Sequence, residues 1–285
     1  YHCRPEANCV GGAHPPAATL EALQTNGTTD LAFDETCGAY MVGTVGFPNV
    51  KVVYSPYYEL SVPGYANLNQ KSIAINPNAP AGFNSTGWDA EFAVSHDSNT
   101  TLGMGIKFSN DSSISHILYS THLSGSDLWN NGFLNVGSNS IAWDTSGCIW
   151  MSNFTDAGSL DCMDSAGNAT TPIVSGGRIE SIALTPTEDV YISIGPEIFH
   201  VDTATGMQTL YATASGDVLD MVFDFNNDLY VESNGIIELF PGNGAASSTF
   251  QTVTGQGKLS ISPDGWLVRV IPIPTQYATF EEWEL

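Results

Sequence analysis

The chain holds only 7 Lys and Arg against 30 Asp and Glu, so the positions of its cations are informative. Lys71 and Lys258 each open a short apolar run, KSIAI and KLSI, and Arg178 stands just ahead of a third, ESIAL. Glu180 and Asp220 precede SIAL and MVF in the same way, and Asn139 precedes SIAW. A carboxyl group among cations can act as general acid or base while the cations hold an anionic oxygen of a substrate. On this reading Lys71, Glu180, Asp220 and Lys258 are the catalytic candidates. Asn139, Arg178, His96, Trp129 and Phe154 are the candidates for binding substrate, with the two aromatic rings suited to an apolar portion. The same charges admit a structural reading, in which Lys71, Lys258 and Arg178 neutralise Asp30, Glu180 and Asp220. The residues alone leave both open. There is no HExxH, no Gly-Lys-Ser/Thr phosphate loop, no GxSxG and no EF-hand loop.

These candidates are tied together by a repeat. SIAWDTSGCIWMSN from Ser140 reads as a short apolar strand, a tight turn and a second apolar strand. The pattern returns as SIALTPTEDVYISI from Ser181, DMVFDFNNDLYVES from Asp220 and KLSISPDGWLVRVI from Lys258. Ile141, Ile182, Met221 and Leu259 are therefore spaced by 41, 39 and 38 residues. Repeats of this length and content are propeller blades of four strands, each unable to bury both faces of its sheet alone. Adding Leu31 and Ile73 gives six strand starts, and the spacing predicts an all-β, six-bladed β-propeller of four-stranded blades in a single domain, 1–285. Residues 1–17 read as an irregular arm. Thr19–Gln24 reads as an outer strand with no blade of its own, and the last blade offers only three strands. The prediction is that this N-terminal strand completes the last blade and closes the ring, removing an exposed edge. The candidate residues then gather at one rim of the central channel, where first strands begin and second strands end.

A net charge of −23 argues against nucleic acid and anionic membrane as partners, since both need a basic surface. No apolar run is long enough to span a bilayer. Six Asn-x-Ser/Thr sequons, at Asn26, Asn84, Asn99, Asn110, Asn153 and Asn168, favour a secreted glycoprotein. The chain begins at Tyr1 rather than Met and lacks a signal-peptide core, so a processed mature form is expected. Of five cysteines, Cys148 opens a second strand and Cys162 lies near the end of the third. Antiparallel neighbours bring those points together, which predicts a Cys148–Cys162 disulfide. One of Cys3 and Cys9 is expected to pair with Cys37, with no indication of which.

NSIAWDTSGCIWMSN and LDMVFDFNNDLYVES resemble the repeats of senescence-marker/gluconolactonase-like six-bladed propellers. That resemblance implies lactone opening with one Ca²⁺ or Zn²⁺ held at the channel mouth by Glu, Asn and Asp. Asn139 matches the family's Asn, and Asp220 matches an Asp after a shift of one position. The family's first-blade Glu-Gly-Pro is replaced by Thr29-Asp30-Leu31, so the ligand set is incomplete and no metal is expected. In size, repeat style and sequons the chain also resembles the secreted fungal hetero-Diels–Alderases of tropolonic sesquiterpenoid biosynthesis. This implies a cofactor-free reaction on small-molecule substrates. A hydroxymethyl tropolone loses water to give an o-quinone methide, which adds across a sesquiterpene alkene. The resemblance makes this the leading expectation, with a metal-dependent lactonase or hydrolase and a non-catalytic binding propeller as alternatives.

Overall fold

The computed structural model describes the strands between residues 20 and 130 and then residues 140–144, 146, 148–153, 158–163, 173–271 and 278–285. Among the described residues there are strands and turns and no helix. The strands form antiparallel four-stranded sheets. The first contains β1's neighbours in sequence, β2 (Asn26–Phe33), β3 (Gly38–Thr44), β4 (Val50–Pro56) and β5 (Lys71–Ile75), where β1 is Leu20–Ala22. The second contains β6 (Trp88–Val94), β7 (Leu102–Phe108), β8 (Ser115–Ser120) and β9 (Trp129–Asn130). The third contains β10 (Ile141–Trp143), β11 (Ile149–Asn153), β12 (Ser159–Met163) and β13 (Ile173–Val174). The fourth contains β14 (Ile182–Leu184), β15 (Val190–Ile194), β16 (Glu197–Asp202) and β17 (Met207–Thr213). The fifth contains β18 (Val218–Phe223), β19 (Leu229–Ser233), β20 (Ile236–Phe240) and β21 (Ser248–Thr252). The sixth contains β22 (Lys258–Ile261), β23 (Trp266–Ile271) and β24 (Ala278–Glu284), with β1 as its outer member. Here Leu20 lies opposite Phe280 and Ala22 opposite Ala278.

The first strands of successive sheets lie side by side. β2 meets β6, β6 meets β10, β10 meets β14, β14 meets β18, β18 meets β22, and β22 meets β2. Apolar layers fill the spaces between sheets. Ile182, Val190, Ile192 and Val201 of the fourth sheet pack with Leu160 and Ile179. Met221, Phe223, Leu229 and Val231 of the fifth pack with Ile198 and Ala183 of the fourth. Leu259 and Leu267 of the sixth pack with Tyr230 and Ile237. Each such side chain stabilises the fold by about 1.5–3 kcal/mol when fully buried.

The turn between first and second strands explains why the repeat is visible in sequence. Asp144, Thr185, Asp224 and Ser262 hold equivalent places, and each side-chain oxygen accepts the backbone N–H four residues on, at 2.8–3.0 Å. The residue before that donor sits in the left-handed region at Glu188, Asn227 and Gly265, with φ of 69°, 64° and 89°. Small oxygen-bearing residues are selected at the first place because they cap the turn, and Gly or Asn at the fourth because left-handed backbone costs other residues energy.

Two readings of the register are corrected. Lys71 and Ile73 belong to β5, the outermost strand of the first sheet, where Lys71 lies opposite Tyr54. The second sheet begins instead at Trp88 with β6. An apolar alternation such as SIAIN suits an outer strand as well as an inner one, and the long 57–70 connection disguises which it is. Trp129 likewise opens β9, the outer strand of the second sheet, opposite Ser120. In this meander the start of a fourth strand lies at the opposite end of the sheet from the start of the first. Lys71 and Trp129 therefore stand at the outer edge and the other rim, away from Lys258.

The disulfide Cys148–Cys162 is present, with a Cα–Cα distance of 5.5 Å. Trp150 lies opposite Cys162 on the neighbouring strand, so Cys148 reaches it diagonally across the ladder. Cys3, Cys9 and Cys37 lie outside the described residues, as do Asn84, Asn99, Asn110 and Asn168. Asn26 opens β2 and Asn153 ends β11.

Candidate functional site

The rim at which the first strands begin is built from short, Gly-rich connections, Ser175–Ser181, Ala214–Asp217 and Val253–Gly257. They lead into Ser181, Asp220 and Lys258, which with Ser140 read equivalently in the repeat. These residues stitch neighbouring sheets together. The Ser140 hydroxyl accepts the N–H of Ile182 at 2.9 Å. The Ser181 hydroxyl donates to Asp220 Oδ1 at 3.0 Å. Asp220 Oδ2 accepts the N–H of Leu259 at 2.7 Å. Asp30, at the matching place in β2, accepts the N–H of Leu31 at 2.7 Å.

Asp220 is thus gripped from both sides, by the fourth sheet through Ser181 and by the sixth through Leu259. It is only 8% exposed. Burial pushes its carboxyl above the usual carboxylate range; the charge of Lys258 and the bonds from Leu259 and Ser181 act the other way, and Glu232 reinforces burial. Lys258, which supplies that opposing charge, is half-buried at the start of β22. Glu180 and Arg178, on the Ser175–Ser181 connection, form a partly exposed pair, with Nε to Oε1 at 3.3 Å. Of the sequence candidates the structure therefore gathers Glu180, Asp220, Lys258 and Arg178 at one rim. Asn139, Phe154 and His96 lie outside the described residues.

Two arrangements at this rim were not anticipated. Glu238, buried on β20, accepts from the Ser215 N–H and hydroxyl at 2.8 and 3.0 Å and from the Ser233 hydroxyl at 2.9 Å. It fixes the connection leading into β18. Beside it, Arg269 is fully buried and reaches from β23 to Glu232 on β19, with Nε and Nη2 to the two carboxylate oxygens at 2.7 and 2.8 Å. Its remaining donors meet Glu281 at 2.8 Å and the carbonyls of Thr254 and Gly255. Gly257 is required next to it, because a Cβ there would stand 2.6 Å from Arg269 Nε. The signal for this pair was in the sequence: one Arg inside WLVRVI and one Glu inside LYVES, charges in strands otherwise too apolar to be at the surface.

The described residues contain no group of three His, Cys, Asp or Glu suited to a metal ion. Both oxygens of Asp220 are already occupied by N–H and O–H donors, and two cations share the rim. This donor set does not fit a hard divalent ion, which wants several free oxygens together, so no step is derived through one.

No family model matches the chain, and no curated protein matches it. Solved structures do. Virginiamycin B lyase from Staphylococcus aureus superposes with a TM-score of 0.59 at 11% identity, over 94% of this chain and 87% of that one. Regucalcin from Agrobacterium tumefaciens, described as a calcium-binding protein, gives 0.54 at 14% identity, over 93% of both. The extracellular domain of BT3049, a hybrid two-component system of B. thetaiotaomicron, gives 0.56 at 11% identity over 93% of this chain, which spans only 41% of that one. At these identities the likeness is one of architecture, and the architecture is that of an all-β propeller of the kind regucalcin and virginiamycin B lyase possess.

Proposed function

We propose that the chain is an enzyme acting on a small molecule at the rim of Glu180, Asp220, Lys258 and Arg178, and that its chemistry is acid-assisted opening of a cyclic ester. The observation that carries this is Asp220: a carboxyl group withdrawn from water, raised in proton affinity and placed beside a lysine. Water adds to the acyl carbon and the ring C–O bond breaks; an acid that keeps its proton at higher pH than an exposed aspartate can deliver it to the departing ring oxygen, while the proton of the attacking water is lost to solvent. Lys258 and Arg178 would hold the carbonyl or carboxylate oxygen on which negative charge collects. The gluconolactonase-like repeats and the shared fold with a protein named as a lyase support this reading.

A second reading, dehydration of a hydroxymethyl tropolone followed by hetero-Diels–Alder addition to a sesquiterpene alkene, is favoured by a rim that pairs an acid with cations rather than gathering carboxylates. There the same proton would go to the leaving hydroxyl, which departs as water, and Arg178 or Lys258 would hold the tropolone oxygens. The readings separate on substrate. Purified protein is offered a panel of five- and six-membered lactones, followed by acid release, and separately a hydroxymethyl tropolone with humulene, followed by mass spectrometry. Lys258→Ala and Glu180→Gln are expected to lower turnover with little change in melting temperature. Turnover of neither substrate class, or activity untouched in both variants, overturns the assignment. Activity lost to a chelator and restored by Ca²⁺ or Zn²⁺ would show a metal-dependent lactonase instead.

The contacts from β22 back to β2 and the place of β1 beside β24 support a ring of six blades closed by the N-terminal strand. Export and glycosylation at the sequons follow from the composition; a mass shift on enzymatic deglycosylation tests them. Deleting residues 1–25 should abolish cooperative unfolding, and a folded, monomeric truncation would refute the closure.

A further inference from the structure

Ser215 is an exposed serine whose polar groups are all held by side chains of the fifth sheet. Its N–H and hydroxyl donate to Glu238 Oε2 at 2.8 and 3.0 Å. Its carbonyl accepts from Asn234 Nδ2 at 3.2 Å. Gly216 makes room for that amide, because a Cβ there would fall on the Asn234 side chain. Glu238 is only 9% exposed. The buried Ser233 hydroxyl donates to the same Oε2 at 2.9 Å and lies 3.3 Å from the Ser215 hydroxyl. Glu238 Oε1 receives no donor among the described residues, and none of the described contacts of this carboxylate is a cation.

Anchoring the connection accounts for the backbone bonds and leaves the hydroxyl unexplained. The Ala214 and Val253 N–H groups donate to the carbonyls of Pro196 and Gly235, so Ser215 and Thr254 hold equivalent places. Thr254 is held through its carbonyl by Arg269, and its hydroxyl meets no partner among the described residues. The carboxylates differ in the same way. Glu281 lies opposite Arg269 as Glu238 lies opposite Val231, and Arg269 neutralises it. Glu238 meets serine hydroxyls instead. Immediately after Ser215, the N–H groups of Gly216 and Asp217 meet no acceptor among the described residues. Donors at the residue following a nucleophile are where an oxyanion is held in acyl transfer.

We propose that Ser215 is a nucleophile for acyl transfer, with Glu238 as its base, and that the substrate it takes is a carboxylic ester. The Ser215 hydroxyl proton passes to Glu238 as Oγ bonds the acyl carbon. The ester C–O bond breaks, and the departing alcohol takes that proton from Glu238. Water then gives a proton to Glu238 and its hydroxyl to the acyl carbon, and Oγ leaves with the proton. The sum is ester and water giving acid and alcohol. The site goes beyond the acid chemistry assigned to Asp220 and uses none of its residues.

The test uses the full chain and a fluorophosphonate, which phosphonylates activated serine hydroxyls. Mass spectrometry of a digest should find the label on Ser215. Ser215→Ala, at an exposed position, should keep the melting temperature and lose the label. Glu238→Gln keeps an oxygen for the Ser215 N–H but removes the base, and should slow labelling by about 100-fold. Where that variant loses its fold, Glu238→Asp replaces it, since it withdraws the carboxylate by one methylene, and should also label more slowly. Wild type mixed with p-nitrophenyl acetate should release a burst of p-nitrophenolate that Ser215→Ala lacks. No label on Ser215, a label spread evenly over surface serines, or a folded Glu238 variant that labels at the wild-type rate overturns the proposal. Labelling is read by mass without lactone turnover, so it stands or falls apart from the role of Asp220.

Discussion

Removing the Glu232 carboxylate tests how the fifth and sixth sheets are held together. In Glu232→Ala, Arg269 loses the partners of Nε and Nη2, and the Gly257 N–H loses the Glu232 oxygen it meets at 2.8 Å. Arg269 and Glu232 are both 0% exposed, so the pair is shielded from bulk solvent. Burial works against the guanidinium's charge, and the bonds to Glu232 and Glu281 more than offset it, raising its hold on the proton. Stranding one member of a buried pair costs about 3–5 kcal/mol. Glu281 and the Thr254 and Gly255 carbonyls remain, which argues for the lower half of that range. At roughly 2–4 °C per kcal/mol the melting temperature should fall by about 6–16 °C. Urea denaturation should show a lower midpoint with an unchanged slope. The double variant Glu232→Leu with Arg269→Met removes both charges; Glu281 and the carbonyls of Thr254 and Gly255 lose their donor but have access to water, so the Gly257 N–H is the buried group left unsatisfied, a loss of about 1–3 kcal/mol. It should therefore be more stable than Glu232→Ala alone. A loss below about 1 kcal/mol in the single variant, or a double variant no better than the single, would refute the account.

Burial raises the Asp220 carboxyl in the folded state, so its contribution to stability is fully present below about pH 3.9, the unfolded value, and is lost as pH rises through the folded value. Asp220→Asn should remove this slope, and the difference between wild type and variant melting temperatures should shrink toward low pH; a constant difference across that window would contradict it. Cys162→Ala should cost about 3 kcal/mol by releasing a loop of this size, measured by denaturant unfolding, and peptide mapping without reduction should recover Cys148 and Cys162 joined. Glu188→Gly should stabilise by roughly 0.5–1 kcal/mol because Glu188 sits at a φ of 69°; a lower melting temperature would show that its side chain contributes more than the backbone strain costs.

The parts of this fold legible in the sequence are those where one turn does the same work repeatedly. Asp144, Thr185, Asp224 and Ser262 cap their turns through the same bond, a side-chain oxygen accepting the N–H four residues on, so the 41-, 39- and 38-residue steps survive although the residues differ. The Cys148–Cys162 pairing followed from strand direction alone. The first two sheets lacked such a marker. KSIAI and ESIAL look alike, and nothing in an apolar alternation records whether a strand is first or fourth in its sheet. Lys71 reads like Lys258 in the sequence, yet its place in β5 keeps it from that rim.

The character of the proposed rim was hidden for a different reason. A strand pattern reports which face is apolar, not which neighbour a polar residue meets across the gap between sheets. Asp220 reads as a rim residue because it precedes MVF. Its character comes from Ser181, 39 residues earlier, and Leu259, 39 residues later, each held by a different sheet. The symmetry of that spacing has a consequence for mechanism. The acid is positioned by blade-to-blade contact, so anything that loosens the packing of the fourth, fifth and sixth sheets also frees its carboxyl to rehydrate and ionise. Glu232→Ala, which weakens the fifth against the sixth, should therefore shift the alkaline limb of any turnover profile, where the acid loses its proton, to lower pH as well as lower stability. A variant that loses stability while its pH profile stays in place would mean that Asp220 is a structural staple and that the proton comes from elsewhere at the rim.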